Sequence, residues 1–141
     1  MPGVLHERFG RAVEKAIWNA LVILPGTDSI VDNGSTNVLL KGAEASPDGS
    51  FGEETAKFPA VVLEYGRTQT AKDLKKKADR YITESEGNVR VVVCFKFEQN
   101  TASFSVYEPN DNTRRTECTV ENQVCLCLST DLYSADCRLE I

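Results

Sequence analysis

The sequence lacks the features that mark several common chemistries. It contains one histidine, His6, and five cysteines, Cys94, Cys118, Cys125, Cys127 and Cys137, with no Cys-x-x-Cys pair. Structural zinc sites take four Cys or His ligands, usually in close pairs, and a disulfide framework takes an even number of cysteines. Neither is expected here. The cysteines read as small apolar residues of a reduced protein, with Cys125 and Cys127 on one face of a strand. His6 lies near an apolar helix face and reads as a packed histidine. No nucleophile elbow supports a Ser-His-Asp hydrolase, and there is no Walker loop or Gly-x-Gly-x-x-Gly turn to cradle phosphates. No repeats or low-complexity stretches occur.

Long apolar runs are also missing. None approaches the ~20 residues that cross a bilayer, so no membrane partner is expected. The opening MPGVLHERFG has no basic stretch followed by an apolar one. The expectation is therefore an intracellular protein (cytoplasmic or nuclear), not secreted. Basic charge is in deficit: the net charge is −5, which argues against a broadly basic nucleic-acid surface. The cations are nevertheless clustered, as KDLKKKADR (72–80) and TRRT (113–116).

The chain has 141 residues, enough for a single domain with a real core. Residues 4–24 read as an amphipathic helix, with Phe9, Ala12, Val13, Ala16, Ile17, Ala20, Leu21 and Leu24 at helical spacing before Pro25-Gly26. Two short strands, DSIVD and TNVLLK, flank Asn33-Gly34, a strong turn pair. Residues 42–58 read mostly as loop, with a short strand near Asp48 to Phe51. PAVVLEY reads as a buried strand. Thr70 is placed to cap a helix over 71–85, which Glu86-Gly87-Asn88 ends. VRVVVCFKF (89–97) is the strongest strand, with TASFSVYEP as its hairpin partner through Gln99-Asn100. RTECTVE and QVCLCL supply two further strand candidates, followed by a short C-terminal piece, CRLEI. A strand, a crossover helix and a strand imply a parallel pair, hence an α/β fold with a mixed central sheet flanked by helices and a C-terminal β extension.

The chemistry gathers around one strand-to-helix junction. Asp48 follows Pro47, and Glu64 closes an apolar strand sixteen residues later. A carboxylate there is costly to desolvate without a partner, and the carboxyl ends of strands are where α/β sheets build sites. Two acids on neighbouring strands suit Mg²⁺ (or Mn²⁺), which needs only one or two protein carboxylates beside waters and phosphate oxygens. Asp48 alone also reads as a turn former in Pro-Asp-Gly. Lys77 and Tyr81 lie four and eight residues after Asp73, on one helical stripe. If that stripe faces Glu64, Lys77 can orient or deprotonate a water, or balance phosphate charge. Tyr81 reads as a core-edge packing residue. Gln69 either contacts the scissile phosphate or holds the turn.

These residues resemble the PD-(D/E)XK, or restriction-endonuclease-like, nuclease superfamily. Pro47-Asp48-Gly49 and Leu63-Glu64-Tyr65 match its two acidic positions. The more specific similarity is to a branch expanded in cyanobacteria, and to related fungal domains. There the strand glutamate leads into a Ser/Thr/Gln-rich turn and a helix reading D-x-x-x-K-x-x-x-Y, whose lysine stands in for the missing strand lysine. Asp73, Lys77 and Tyr81 keep that register, and Gly66 occupies the usual lysine position. SPDGSF (46–51) and Leu5-His6-Glu7 are similar to further segments of the same branch.

The resemblance covers about residues 4–97 and implies an αβββαβ core, with residues from about 98 to 141 as the β extension. It implies a metal-dependent endonuclease acting on DNA. Asp48, Glu64, Lys77 and Gln69 would be catalytic, and Asp48, Glu64 and the first-helix acid Glu7 would hold the metal. Glu14 shares a flank with Glu7 and has Lys or Arg neighbours with which to pair. A homodimer would serve cutting of both strands. The alternative is a member of that fold that no longer cleaves and serves as an interaction or regulatory module.

Overall fold

A computed structural model describes residues 2–26, 28–66, 69–97, 101–113 and 115–125. The Gln99-Asn100 turn, the CRLEI segment, Cys127 and Cys137 lie outside these residues, as does the side chain of His6. Helix α1 spans Pro2–Val22. Strands β1 (Ile30–Asp32), β2 (Val38–Leu40), β3 (Ala43–Ala45), β4 (Gly49–Glu53) and β5 (Val61–Gly66) follow. Then come α2 (Ala71–Glu84), β6 (Val91–Phe97), β7 (Thr101–Pro109) and β8 (Thr116–Cys125). Among the described residues, no helix is long and apolar enough to cross a membrane.

The main sheet has six strands in the order β1-β4-β5-β6-β7-β8. All neighbours are antiparallel except β5 and β6, which are parallel with Glu64 beside Cys94. This is the mixed α/β arrangement that the crossover helix implies. The flanks of Asn33-Gly34 do not form a hairpin with each other. β1 pairs with β4, and β2 pairs with β3 across Lys41-Gly42. Gly42 takes φ +91°, which that tight connection needs and a side chain resists. The β2–β3 hairpin is thus an insertion beside the main sheet.

Alternation along β5 sorts the two faces. Val62 joins α2's buried Leu74, Ala78, Tyr81 and Ile82, with Val38 and Leu40 from the hairpin. Leu63 and Tyr65 join Phe51 and Phe97 under α1's Val13, Ile17, Trp18 and Leu21. α1 therefore packs with only part of its apolar stripe. Trp18 joins the contact and stacks with Phe51 at 6.3 Å, whereas Ala12, Ala16, Ala20 and Leu24 are exposed. Alanine buries too little surface to decide which way a helix faces.

The tail also differs from expectation. RTECTVE and QVCLCL are not two strands; their described parts form the continuous β8, with a register shift opposite Val106/Tyr107. Glu121-Asn122-Gln123 interrupts the apolar pattern, but the backbone pairing with β7 runs through it unbroken.

Candidate functional site

Helix α2 starts where its sequence dictates. The Thr70 hydroxyl oxygen accepts from the Asp73 backbone N–H, and the Asp73 side chain accepts from the Thr70 backbone N–H. This reciprocal capping box satisfies donors that a helix start leaves orphaned. It also holds the Asp73 carboxyl below its usual range, chiefly through the Thr70 hydrogen bonds. Asp73 thus acts as a cap, and its register sends Lys77 and Tyr81 down the same flank onto β5.

Glu64 waits beneath that flank. It is not the last residue of its strand, since β5 continues through Tyr65 and Gly66. It is only 2 % exposed. Tyr81 donates its hydroxyl to Glu64 Oε1 at 3.0 Å, and Lys77 Nζ stands 3.5 Å from Oε2. Tyr81 therefore packs in the core and also binds the carboxylate. Its sequence position gave only the packing, because a buried tyrosine's hydroxyl partner depends on what lies opposite.

Asp48 meets Glu64 from the neighbouring strand. Extending the Gly49–Leu63 register by one residue sets Asp48 opposite Glu64. Its backbone N–H donates to the Leu63 carbonyl at 3.1 Å, and its Oδ2 accepts from the Tyr65 N–H at 2.7 Å. Asp48 is thus pinned as an extension of the ladder rather than left as a free turn. Burial, followed by the Asp48 carboxylate, raises the Glu64 carboxyl to about 7, against the lowering effects of Lys77 and Tyr81. Two acids this close favour taking up a proton or a cation.

Gly66 explains why no lysine sits on the strand. Position 66 points to the same face as Glu64, and a Cβ there would lie 2.7 Å from Leu74 Cδ1. Leu74 is 3 % exposed, so it has little room to yield. α2 crosses too close for a strand side chain, and Lys77 brings an ammonium to the same carboxylate from above.

The α1 side adds Tyr65 and Arg11, which the sequence did not single out, and Glu14, which it read as free to pair with Lys or Arg. The Tyr65 hydroxyl lies 3.4 Å from both the Gly10 carbonyl and Glu14 Oε1. Partial burial, then the Asp32 carboxylate, raises the Glu14 carboxyl, and Asp48 adds to the rise. Glu14, with Arg11, Asp48, Tyr65 and Ser35, lines a cleft of about 400 Å³. Glu7 lines the same cleft, but its carboxylate pairs with Arg11 one turn on. The two glutamates are seven residues apart, so helical periodicity alone does not separate them. The contact of Gly10 with Tyr65 does, by setting which turn of α1 overlies Asp48.

The structure thus brings Asp48, Glu64 and Lys77 together. Gln69 is half-buried in the turn before α2. Cys94, next to Glu64 across the parallel ladder, is buried, and that burial pushes its thiol up to about 12. It is a neutral packing residue. Among the described residues, no group of three or more His, Cys, Asp or Glu side chains is set to hold a metal ion. The Asp48–Glu64 pair is the donor set on offer. A hard cation takes carboxylate oxygens of this kind, with other oxygens completing its shell. No family model, no curated protein and no solved structure matches the chain.

Proposed function

We propose that the chain is a metal-dependent endonuclease hydrolysing phosphodiester bonds in DNA, with a restriction-endonuclease-like core. The observation that carries this reading is the convergence of a strand glutamate, an aspartate on the adjacent strand and a helix lysine on one point. The element order supports it. With the β2–β3 insertion set aside, the chain runs helix, three antiparallel strands, helix and a parallel strand, which is the αβββαβ order.

In this reading Asp48 and Glu64 hold Mg²⁺ or Mn²⁺. When bound, the ion lowers the pKa of water and stabilises charge on the phosphate. Tyr81 fixes the Glu64 carboxylate through its hydroxyl. Lys77, with 43 % of its side chain exposed, lies between the buried acid and solvent. From there its ammonium can orient the attacking water or balance charge on the phosphate. Gln69, in the turn above, contacts the phosphate or steadies the turn. Cutting both strands of a duplex calls for two such sites, and so for two copies of the chain.

The test is cleavage of plasmid and oligonucleotide DNA with Mg²⁺ or Mn²⁺ by wild type, Glu64→Ala and Lys77→Ala. Metal-dependent cutting that disappears with Glu64→Ala and drops about 10²-fold or more with Lys77→Ala is the expected result. Cutting that survives Lys77→Ala rejects the lysine's role and keeps the acids'.

One observation favours a second reading, a non-cleaving interaction module. Lys77 already pairs with Glu64 at 3.5 Å, so an ammonium offsets part of the acid's charge without a metal. Failure of wild type to cut linear, nicked, branched or single-stranded DNA, with no Mg²⁺ binding by calorimetry, would select that reading.

A further inference from the structure

The two helices bring their N-terminal halves to the same end of β5. α1 reaches it at Gly10, where a Cβ would lie 2.7 Å from the Tyr65 ring, and α2 reaches it at Leu74 beside Gly66. Each helix carries exposed cations there. On α1, Arg8, Arg11 and Lys15 stand at i, i+3 and i+7, which is one stripe. Arg11 lines the cleft beside Asp48. On α2, Lys72 and Lys76 stand one turn apart and precede Lys77. None of the described residues forms a salt bridge with Arg8, Lys15, Lys72, Lys75 or Lys76, whereas Arg11, Arg80, Arg90 and Lys41 are each paired with an acid.

In a chain of net charge −5, unpaired cations on both sides of an acidic centre mark a path for a polyanion. The centre itself repels phosphate until it is neutralised, so the rims must supply the attraction.

We infer that Arg8 and Lys15 on α1 and Lys72 and Lys76 on α2 form two basic rims that grip nucleic-acid phosphates on either side of the Asp48–Glu64 centre. This rests on the nuclease reading and adds to it the route of the substrate backbone, across the end of the sheet and in contact with both helices. Regular anionic spacing on both sides of one point is the chemistry of a DNA backbone. A membrane surface would need the cations on one plane, and these lie on helices packed against opposite faces of the sheet.

The test is the salt dependence of binding to a fluorescent DNA duplex, read by anisotropy with a chelator present to prevent cutting. The variants are Arg8→Gln/Lys15→Gln, Lys72→Gln/Lys76→Gln and the fourfold combination. Each phosphate contact contributes about 0.9 to the slope of log affinity against log salt. Each pair of substitutions is therefore expected to lower the slope by about 1.8, and the combination by about twice that. An unchanged slope in either pair overturns the two-rim inference, as does tighter binding to phosphatidylserine vesicles than to DNA. Unchanged slopes in a protein that still cuts would remove the rims and leave the site. The expected slopes in a protein that never cuts would keep the rims and remove the site.

Discussion

The two faces of the sheet are built from the same parts with the owners exchanged. On the α2 face the strand supplies the carboxylate, Glu64, and the helix supplies the tyrosine, Tyr81. On the α1 face the strand supplies the tyrosine, Tyr65, and the helix supplies the carboxylate, Glu14. The close approaches are exchanged too. α2 packs its leucine on a strand glycine, and α1 packs its glycine on a strand tyrosine. The faces differ in their cation. Glu64 is fully buried and has Lys77 at 3.5 Å. Glu14 is half-buried, with Asp32 and Asp48 as its strongest charged neighbours and Arg11 as a weaker counterweight. Both carboxyls have acids for neighbours and both are raised; at Glu64 the ammonium and the hydroxyl offset part of the cost of burial, which still prevails. The α2 face is the deeply buried half, with an ammonium against its acid, and the α1 face is the more open half, with its acid at the edge.

Titration should give the largest contrast. Glu64 stands near 7 in the fold against 4.5 for an unperturbed glutamate, so between those values the native chain holds a proton that the unfolded chain has lost. Stability should be highest below about pH 4.5 as far as this group is concerned. It should fall by on the order of 3 kcal/mol as pH rises through about 7. Glu64→Gln should flatten that fall and be more stable than wild type at about pH 8, whereas Glu14→Gln should leave most of it. Urea denaturation across this range without divalent metal is the measurement, and a flat wild-type curve would contradict the account.

The tyrosines come next. Tyr81→Phe removes a 3.0 Å hydrogen bond to a buried acid and should cost about 2 kcal/mol. Tyr65→Phe gives up a hydroxyl at 3.4 Å from each acceptor and should cost less than about 1 kcal/mol. Equal losses in thermal unfolding would erase the difference between the faces.

The glycines give the smallest contrast. Gly66→Ala should cost about 2 kcal/mol by overpacking against Leu74. Gly10→Ala meets a similar obstruction but gains about 1 kcal/mol of helix propensity, leaving a net loss of about 1 kcal/mol. Reversal of that order would mean that Leu74 yields more readily than the Tyr65 ring.

Much of the α2 face was legible in the sequence. β5 and β6 are near-continuous apolar runs, Thr70 is a strong cap, and the register from Asp73 to Tyr81 is fixed by the helix repeat. That sufficed to bring Lys77 to Glu64 and to place Asp48 nearby. The open face was less legible, because what sets Glu14 beside Tyr65 is a tertiary contact between Gly10 and Tyr65, fifty-five residues apart. The three-residue strands β2 and β3 were hidden for a similar reason. Segments so short carry no period of their own, and only Val38 and Leu40 reaching the α2 core give the hairpin its place. Asn33-Gly34 is a strong turn signal, but a turn signal does not name the partners of the strands it separates.

The cap at Thr70 also sets how the chain tolerates changes in length. Each helical residue advances the side chains by about 100°. One residue inserted between Thr70 and Lys77 would swing the ammonium and the Tyr81 hydroxyl off Glu64 together. A residue added between Gly66 and Thr70 would lengthen the turn and leave the phase of α2 as Thr70 sets it. Insertions and deletions should therefore be absorbed before Thr70 and rejected over the eleven residues that follow it to Tyr81.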